Sequence, residues 1–140
     1  MAHAVYTQGE NHILQIYFQG VPFTGPFYIG LGTGAMPTIE GSTLANITEV
    51  IGTNYARQSI NRDATAYCWS IVDDIAQAAE ISFKNLDLSI CWTEADYCFL
   101  TLSPSGVTAP NILIAAIELT QTIILEPQQK MKLIFKFQQI

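Results

Sequence analysis

Residues 54–69 read NYARQSINRDATAYCW. Two short strand-like runs, Tyr55–Ile60 and Ala66–Ser70, lie on either side of the turn-forming group Asn61-Arg62-Asp63. Short runs of β-branched and aromatic residues that are separated by turn residues are typical of an antiparallel sheet. The centre of the chain therefore predicts antiparallel β-structure.

Further strand-like runs follow on both sides of this centre. In the last of them, Lys130–Phe137, apolar residues alternate with mostly polar ones, a pattern that places one face of a strand in the core and the other in solvent. The other runs are rich in β-branched and aromatic residues, which favour strands. They are Phe27–Leu31, Ile81–Phe83, Ile90–Thr93, Tyr97–Leu102, Asn111–Ile117 and Gln121–Leu125. About nine short strands with turns between them predict a mainly β fold, an antiparallel β-sandwich or barrel of the jelly-roll type.

The N-terminal region has a helical pattern. Between Glu10 and Gln19 apolar residues repeat at the spacing of one helical turn, opposite polar residues. The apolar residues are Ile13, Leu14, Tyr17 and Phe18. Two prolines, Pro22 and Pro26, then prevent the helix from continuing. At 140 residues the chain fits a single domain, so we expect an N-terminal arm with a short helix over residues 1–25 and one β-sandwich domain over residues 26–140.

The arm is the expected assembly interface. Met1–Gly9 contains few large apolar residues, so we expect it to pack against a neighbouring chain rather than to anchor itself. The predicted interface residues are Ile13, Tyr17, Phe18 and Phe23. A helix that only covers the end of the β-domain would show the same amphipathic pattern, so both interpretations stay open.

The composition favours self-association. Charged residues make up 13% of the chain, against about 25% in a typical globular protein, while 49% of the residues are hydrophobic. Low charge leaves little repulsion between copies, so we expect a homo-oligomer, a trimer or a larger ring. The net charge of -6 and the lack of a basic cluster argue against nucleic-acid binding. The longest apolar run, Ile112–Ile117, is too short to cross a membrane.

The sequence supplies few groups for catalysis or for binding a cofactor or metal. The two histidines, His3 and His12, both lie in the N-terminal segment, and no local signature pairs either with a nucleophile. Gly30, Gly32 and Gly34 have the spacing of a phosphate loop, but neither the helix nor the lysine that such a loop requires follows them.

The grouped acids are typical of solvated turns. Asp73-Asp74 with Glu80, and Glu94 with Asp96, lack the spacing of a calcium loop, and neighbouring strand residues point to opposite faces. We therefore predict that the protein is not an enzyme and that it holds no cofactor and no metal.

The three cysteines are Cys68, Cys91 and Cys98, an odd number in apolar surroundings. Neither a Cys-x-x-Cys pair nor a Cys/His metal spacing occurs. We expect all three thiols to be buried and reduced, as in a protein made in a reducing cytoplasm.

The order of these features resembles a family of small structural proteins encoded by tailed bacteriophages. The matching segments are, in chain order, Phe27–Leu31, the Glu-Val-x-Gly-x-x-Tyr-x-Arg segment Glu49–Arg57, Trp69, Ala79–Phe83, Trp92 and Lys130–Phe137. The resemblance begins near Asn11 and runs to the end of the chain. It departs from the family pattern after Trp92, where Asp96–Thr101 replaces a glycine-rich strand start.

The resemblance implies a non-enzymatic virion component that is synthesised in the cytoplasm of a bacterial host. Its partners would be copies of itself and neighbouring virion proteins. Its place would be on the capsid, as a decoration or cement protein, or in the neck, tail or fibre base. These uses depend on apolar area and strand edges rather than on chemistry.

Two other functions stay open. One is a carbohydrate-binding β-sandwich module, in which Trp69 and Trp92 would line the groove, although tryptophans in a β-domain of this size more often lie in the core. The other is a small hydrolase, which the missing histidine context disfavours.

Overall fold

A computed structural model describes residues 3–23, 25–62 and 68–138 of the chain. These residues form a mainly β structure with antiparallel sheets and a short helix, as the sequence predicts. The elements are, in chain order, β1 (His3–Val5), α1 (Thr7–Gln19), β2 (Phe27–Gly32), β3 (Gln58–Ile60), β4 (Trp69–Val72), β5 (Ile75–Ala78), β6 (Ile81–Lys84), β7 (Ala95–Thr101), β8 (Leu113–Ile123), β9 (Lys130–Leu133) and β10 (Lys136–Gln138). A 3-10 turn, Leu44–Asn46, lies in the long connection between β2 and β3.

The strands of the described residues form three sheets. The largest has five strands in the order β1-β8-β7-β2-β3. A three-stranded sheet has the order β10-β5-β4, and β6 pairs with β9 in a two-stranded sheet. Each of these pairings is antiparallel. No sheet closes into a barrel within the described ranges.

Helix α1 lies at one end of the five-stranded sheet, which we call the helix end. Thr101 of β7 marks this end, because it pairs with Tyr28 on one side and with Leu113 on the other. Gly9 of α1 packs so closely on Ile114 that an added Cβ would lie 2.7 Å from the Ile114 Cα. Only glycine therefore allows the helix to approach the sheet this closely.

The opposite end of the five-stranded sheet, which we call the far end, carries loops instead of a helix. Ala95 pairs with Ile123 there, and Gly32 pairs with Tyr97. Strand β7 has seven residues, so the two ends lie about 20 Å apart.

Both faces of the five-stranded sheet are buried, because successive residues of a strand point to opposite faces. Leu100 belongs to a core that also contains Ala78 of the three-stranded sheet and Phe83 of β6. Phe99 belongs to a second core, which contains Tyr6 and residues of the connection between β2 and β3. The sheet is thus the central layer of the molecule.

Gly30 and Gly32 are strand residues rather than parts of a phosphate loop. A Cβ on Gly30 would collide with the ring of Phe99, and a Cβ on Gly32 would collide with the ring of Tyr97. Their spacing therefore serves aromatic packing across the sheet.

The expectation that Met1–Gly9 cannot anchor itself is wrong for His3–Gly9, while Met1 and Ala2 lie outside the described residues. Strand β1 pairs with β8 along the edge of the five-stranded sheet. Tyr6 is fully buried, and its hydroxyl donates a hydrogen bond of 2.8 Å to the carbonyl of Pro37. One buried aromatic side chain and a short strand are enough to hold this segment on its own chain.

The predicted helix is confirmed and is longer at its start. It begins at Thr7 instead of Glu10. It ends at Gly20, whose φ of 65° is the left-handed conformation that commonly ends helices. The hydrogen bond from the Val21 amide to the carbonyl of Gln15 completes this end.

The predicted last strand, Lys130–Phe137, is two strands. Strand β9 pairs with β6, whereas β10 pairs with β5 in a different sheet. The predicted alternation is nevertheless confirmed at its centre, since Met131 and Phe135 are both buried. The pattern identified the buried face but not the change of partner.

Three other strand predictions differ from the structure. Asn111–Ile117 and Gln121–Leu125 form most of a single strand, β8. Ile90–Thr93 is not a strand. Of Tyr55–Ile60, only Gln58–Ile60 is extended in the sheet.

The region around β4 is a hairpin. Asp73 and Asp74, with φ of 51° and 66°, form the turn between β4 and β5. Residues 66 and 67 of the predicted strand Ala66–Ser70 lie outside the described residues, as does Asp63 of the predicted turn.

Candidate functional site

An apolar cavity of about 490 Å³ lies beneath α1 at the helix end. Its walls include Ile16 of the helix, Phe27 of the five-stranded sheet and Ala76 of the three-stranded sheet. The cavity therefore exists only because two sheets and the helix meet there without filling the space between them.

The cavity is closed at its floor and open at its rim. Leu100 and Ile114 form the floor and are 3% and 5% exposed. Ile13 and Ile71, which lie at the rim, are 40% and 78% exposed. A small molecule can therefore reach the apolar interior from solvent.

A row of rings forms one side of the cavity. The ring centroids of His12 and Phe23 lie 5.7 Å apart, those of Phe23 and Phe27 lie 5.2 Å apart, and those of Phe27 and Trp69 lie 5.3 Å apart. Aromatic pairs at such distances stabilise one another beyond simple burial. The row thus gives this wall a defined shape.

Arg62 carries the charge at the rim. Its guanidinium carbon lies 3.8 Å from the centre of the Phe23 ring, a cation–π contact. The pKa of His12 is lowered, first by burial and then by the charge of Arg62. Of the described residues that line the cavity none is acidic, so the cavity has a positive rim above an apolar interior.

Two buried nitrogen atoms in the cavity wall, His12 Nε2 and Trp69 Nε1, have no hydrogen-bond partner among the described residues. An unpaired buried polar atom costs about 1–3 kcal/mol of stability. Within the described core, the polar side-chain atoms that lack a hydrogen bond are therefore found where the helix meets the sheets.

Helix α1 has two apolar faces, and the predicted stripe is divided between them, with Ile13 facing the sheets and Leu14, Tyr17 and Phe18 facing solvent. The inward face carries Gly9, His12, Ile13 and Ile16. The outward face carries Leu14, Tyr17 and Phe18, which are 52%, 81% and 74% exposed. Together with Val21, which follows the end of the helix and is 37% exposed, they form what we call the helix patch. The rings of Tyr17 and Phe18 form an edge-on pair with centroids 4.9 Å apart.

The structure divides the four predicted interface residues between these two faces. Ile13 and Phe23 line the cavity, whereas Tyr17 and Phe18 lie on the helix patch. Sequence reasoning missed Arg62 and Trp69, which reach the cavity from elsewhere in the chain. Nothing in their local sequence marks them as neighbours of the helix.

A second apolar surface lies at the far end and was not predicted. Leu86, Leu88 and Ile90, which we call the loop patch, are 49%, 86% and 64% exposed. The loop is near the far end because Asn85 Nδ2 donates to the carbonyl of Leu125, just beyond β8. The loop patch and the helix patch therefore lie at opposite ends of the five-stranded sheet.

The loop that carries this patch is held by side-chain hydrogen bonds. The Asp87 carboxylate accepts from the amides of Ser89 and Ile90 and from the hydroxyl of Thr53. The bond from the Ser89 amide is the main cause that lowers the pKa of Asp87 to about 2. Gln128 Nε2 donates to two carbonyls of the same loop. These bonds hold the segment as a loop, where the sequence predicts a strand at Ile90–Thr93.

The Glu-Val-x-Gly-x-x-Tyr-x-Arg segment forms a buried ionic cluster. Arg57 makes two hydrogen bonds to the Glu49 carboxylate, of 3.0 and 2.9 Å, and two more to the carbonyls of Ser103 and Gly106. Tyr55 donates to the same carboxylate at 2.7 Å. Burial, followed by the charge of Glu49, raises the pKa of Tyr55. The cluster holds the loop after β7 against the centre of the chain, so these charged side chains stabilise the fold.

The described residues offer no arrangement for metal binding. They contain no group of three or more His, Cys, Asp or Glu side chains that could hold an ion. Trp92 is 3% exposed and donates to the carbonyl of Thr53, so it is a core residue. Trp69 is half-buried in the cavity wall. The helix found in the described ranges is neither long nor apolar enough to span a bilayer.

The expectation that all three thiols are buried is confirmed for Cys98, holds in part for Cys68 and is wrong for Cys91. Cys98 is 1% exposed, and Cys68 is half-buried, but Cys91 is exposed. Cys91 precedes the inward-pointing Trp92, and adjacent residues of an extended chain point in opposite directions.

Comparison of the sequence with protein-family models and with curated proteins finds no match. The resemblance to virion proteins therefore rests on the order of segments within this chain.

Proposed function

We propose that the protein is a non-enzymatic assembly subunit of a tailed-bacteriophage particle, which binds copies of itself and neighbouring virion proteins. Its place is on the capsid, as a decoration or cement protein, or in the neck, tail or fibre base. The observation that carries the assembly role is the helix patch, and the order of sequence segments supports the virion.

The helix patch has the chemistry of a binding surface. Tyr17 and Phe18 present two adjoining aromatic rings to solvent, on the side of α1 that does not line the cavity. Exposed apolar patches mark protein–protein contacts, and aromatic residues contribute most of the binding energy in such contacts. The 13% charged fraction leaves little electrostatic repulsion between copies.

We also propose that the sheets form a β-sandwich. The five-stranded sheet, the three-stranded sheet and the β6–β9 pair contribute to one core cluster, as Leu100, Ala78 and Met131 illustrate. Sheets that share a core across their inner faces are the basis of sandwich folds.

The aromatic geometry does not favour the carbohydrate-binding alternative. A sugar-binding module needs exposed rings that lie flat against the same sugar, whereas the planes of Tyr17 and Phe18 are 70° apart. The arrangement of Tyr17 and Phe18 therefore favours a protein–protein contact over the binding of a sugar.

Removal of the helix patch tests the assembly role. We expect the wild-type protein to sediment as an oligomer, and the double variant Tyr17→Ser/Phe18→Ser to sediment as a monomer with an unchanged melting temperature. Ile39→Ser is the matched control, because Ile39 is 76% exposed but lies outside the patch. A wild-type monomer at high concentration, or an oligomer in the double variant, would contradict the role of the patch.

The virion assignment needs a separate test. We expect the gene to lie among head and tail genes of a phage genome, and labelled protein to be found on purified particles by electron microscopy. Absence of the protein from the particles of a phage that encodes it would contradict the assignment.

A further inference from the structure

The cavity beneath α1 has the size of a small-molecule site. Its volume of about 490 Å³ falls within the range of about 300–1,000 Å³ that is usual for such sites. Its floor is aliphatic and one wall is aromatic, so the interior suits a hydrocarbon or aromatic group. Burial of such a group would release water from apolar surface.

The charge at the rim restricts what can enter. Arg62 is the one charged side chain among the described lining residues. Its face lies on the ring of Phe23, which orients the guanidinium. A guanidinium that uses its face for a ring still has N–H groups along its edge, and these match the two oxygens of a carboxylate.

Arg62 has no competing acid in the described part of the chain. The salt bridges found there join Arg57 with Glu49 and Lys132 with Glu80. Arg57 is thus fully used inside the protein, whereas Arg62 is exposed and lies next to an apolar opening.

We propose that this cavity binds a small amphipathic carboxylate, with the apolar chain between α1 and the sheets and the carboxylate on Arg62. Decanoate is a suitable test ligand, because it combines a flexible apolar chain with one negative charge. The inference goes beyond the assembly role, since it concerns the inward face of α1 and leaves the helix patch free.

Fluorescence of Trp69 reports on the cavity. Trp69 lies in its wall, while Trp92 is buried in the core and hydrogen-bonded to Thr53. We expect decanoate, below the concentration at which it forms micelles, to change the tryptophan emission of the full chain in a saturable manner. The variant Trp69→Phe should lose this signal, while calorimetry on the wild type should give the same affinity as the fluorescence.

The contribution of the charge is tested with Arg62→Gln and with decanol, which has the same chain and no charge. We expect Arg62→Gln to weaken decanoate binding about tenfold or more and to leave decanol binding unchanged. Lys84→Gln is the control for a general loss of positive charge, because Lys84 is exposed and does not line the cavity. It should leave both affinities unchanged.

A variant that fills the cavity gives an independent measurement. Ala76→Leu adds apolar volume at the wall, and we expect both ligands to bind less well while the circular dichroism spectrum stays the same.

The proposal is wrong if the folded wild-type protein binds no decanoate. It is also wrong if Arg62→Gln has no effect, or if Ala76→Leu binds both ligands as well as the wild type does. Sedimentation of the same samples tells these outcomes apart from a failure of the assembly role, because assembly is measured without ligand.

Discussion

Arg57 joins two parts of the chain that lie far apart in the sequence. Its guanidinium is bound by Glu49 on one side and by the carbonyls of Ser103 and Gly106 on the other, and its side chain is 3% exposed. Glu49 is half-buried and Ser103 is buried, so removal of the guanidinium leaves their oxygens without this partner, whereas Gly106 is exposed to solvent. Arg57 therefore contributes to stability mainly through its hydrogen bonds to these half-buried and buried oxygens, and less through its charge alone.

Replacement of Arg57 should be strongly destabilising. We expect Arg57→Met to lower the free energy of unfolding by about 3 kcal/mol, because it leaves the half-buried Glu49 carboxylate without its counter-charge and the buried Ser103 carbonyl without its donor. Arg57→Lys should lower it less, since an ammonium group keeps the charge but cannot make the four hydrogen bonds. Urea denaturation measures both, and equal stability of Arg57→Met and the wild type would contradict this account.

Tyr55 offers a smaller change in the same cluster. Its hydroxyl donates to Glu49 and accepts from the amide of Leu31. We expect Tyr55→Phe to lower the free energy of unfolding by about 1–3 kcal/mol. Tyr28→Phe is the matched control, because the hydroxyl of Tyr28 makes no hydrogen bond to the described residues. A similar loss in both variants would show that the cluster is not the cause.

The cysteines differ in reactivity. Burial raises the pKa of the Cys98 thiol to about 12, and the thiolate is the reactive form. Cys91 is exposed. We expect a short treatment with iodoacetamide to modify Cys91 and to spare Cys98, as read by mass spectrometry of peptides, with Cys98 reacting only in denaturant. Rapid modification of Cys98 in the folded protein would contradict its burial.

At the scale of elements, the sequence predicts what each strand buries better than what it pairs with. The alternation of Lys130–Phe137 correctly places Met131 and Phe135 in the core. The alternation contains no information about the change of partner from β6 to β5, because the alternate residues that point into the core do so in both β9 and β10. Strand β1 could not be predicted either, since three residues are too few for a periodic pattern.

The candidate site was predictable only in part, for a related reason. The helix patch residues Tyr17 and Phe18 and the cavity residues Ile13 and Phe23 belong to one continuous stretch, so a local pattern finds them. Trp69 meets them only through tertiary packing. Local periodicity also cannot tell which of the two apolar faces of α1 the sheet takes; the contact of Gly9 with Ile114 decides that.

The docking of α1 should depend on pH through His12. Its pKa lies below the ordinary value of about 6.5, so the unfolded chain takes up the proton first as the pH falls. The stabilisation of the folded state by neutral His12 is therefore fully present above pH 6.5, and it is lost as the pH falls below that value toward the lowered pKa. We expect the melting temperature to fall between pH 8 and pH 5.5, and to fall less in His12→Gln.

His3→Gln is the control for this pH dependence, because His3 is exposed at the start of β1. It should follow the wild type. An equal decrease in melting temperature in His12→Gln and the wild type would show that the decrease has another origin. The lowered pKa of Asp87, about 2, affects stability only at much lower pH and does not overlap with this range.

At the scale of the whole molecule, the positions of the two apolar patches bear on the kind of assembly. The helix patch lies at the helix end of the five-stranded sheet and the loop patch at its far end. A contact between two different patches repeats from copy to copy and gives a ring if the rotation between copies closes and a filament if it does not, whereas a patch that binds its own copy gives a dimer. The expected trimer or larger ring therefore requires both patches.

Complementation between two variants tests this arrangement. Tyr17→Ser/Phe18→Ser removes the helix patch and Leu88→Ser/Ile90→Ser removes the loop patch, so in a ring of head-to-tail contacts each variant alone should be a monomer. Mixed in equal amounts, they should form a dimer, since one partner offers an intact helix patch and the other an intact loop patch. Ile39→Ser should leave the ring unchanged in the same sedimentation experiment. If the loop-patch variant keeps the wild-type oligomer, the contact joins helix patch to helix patch and the ring prediction is wrong.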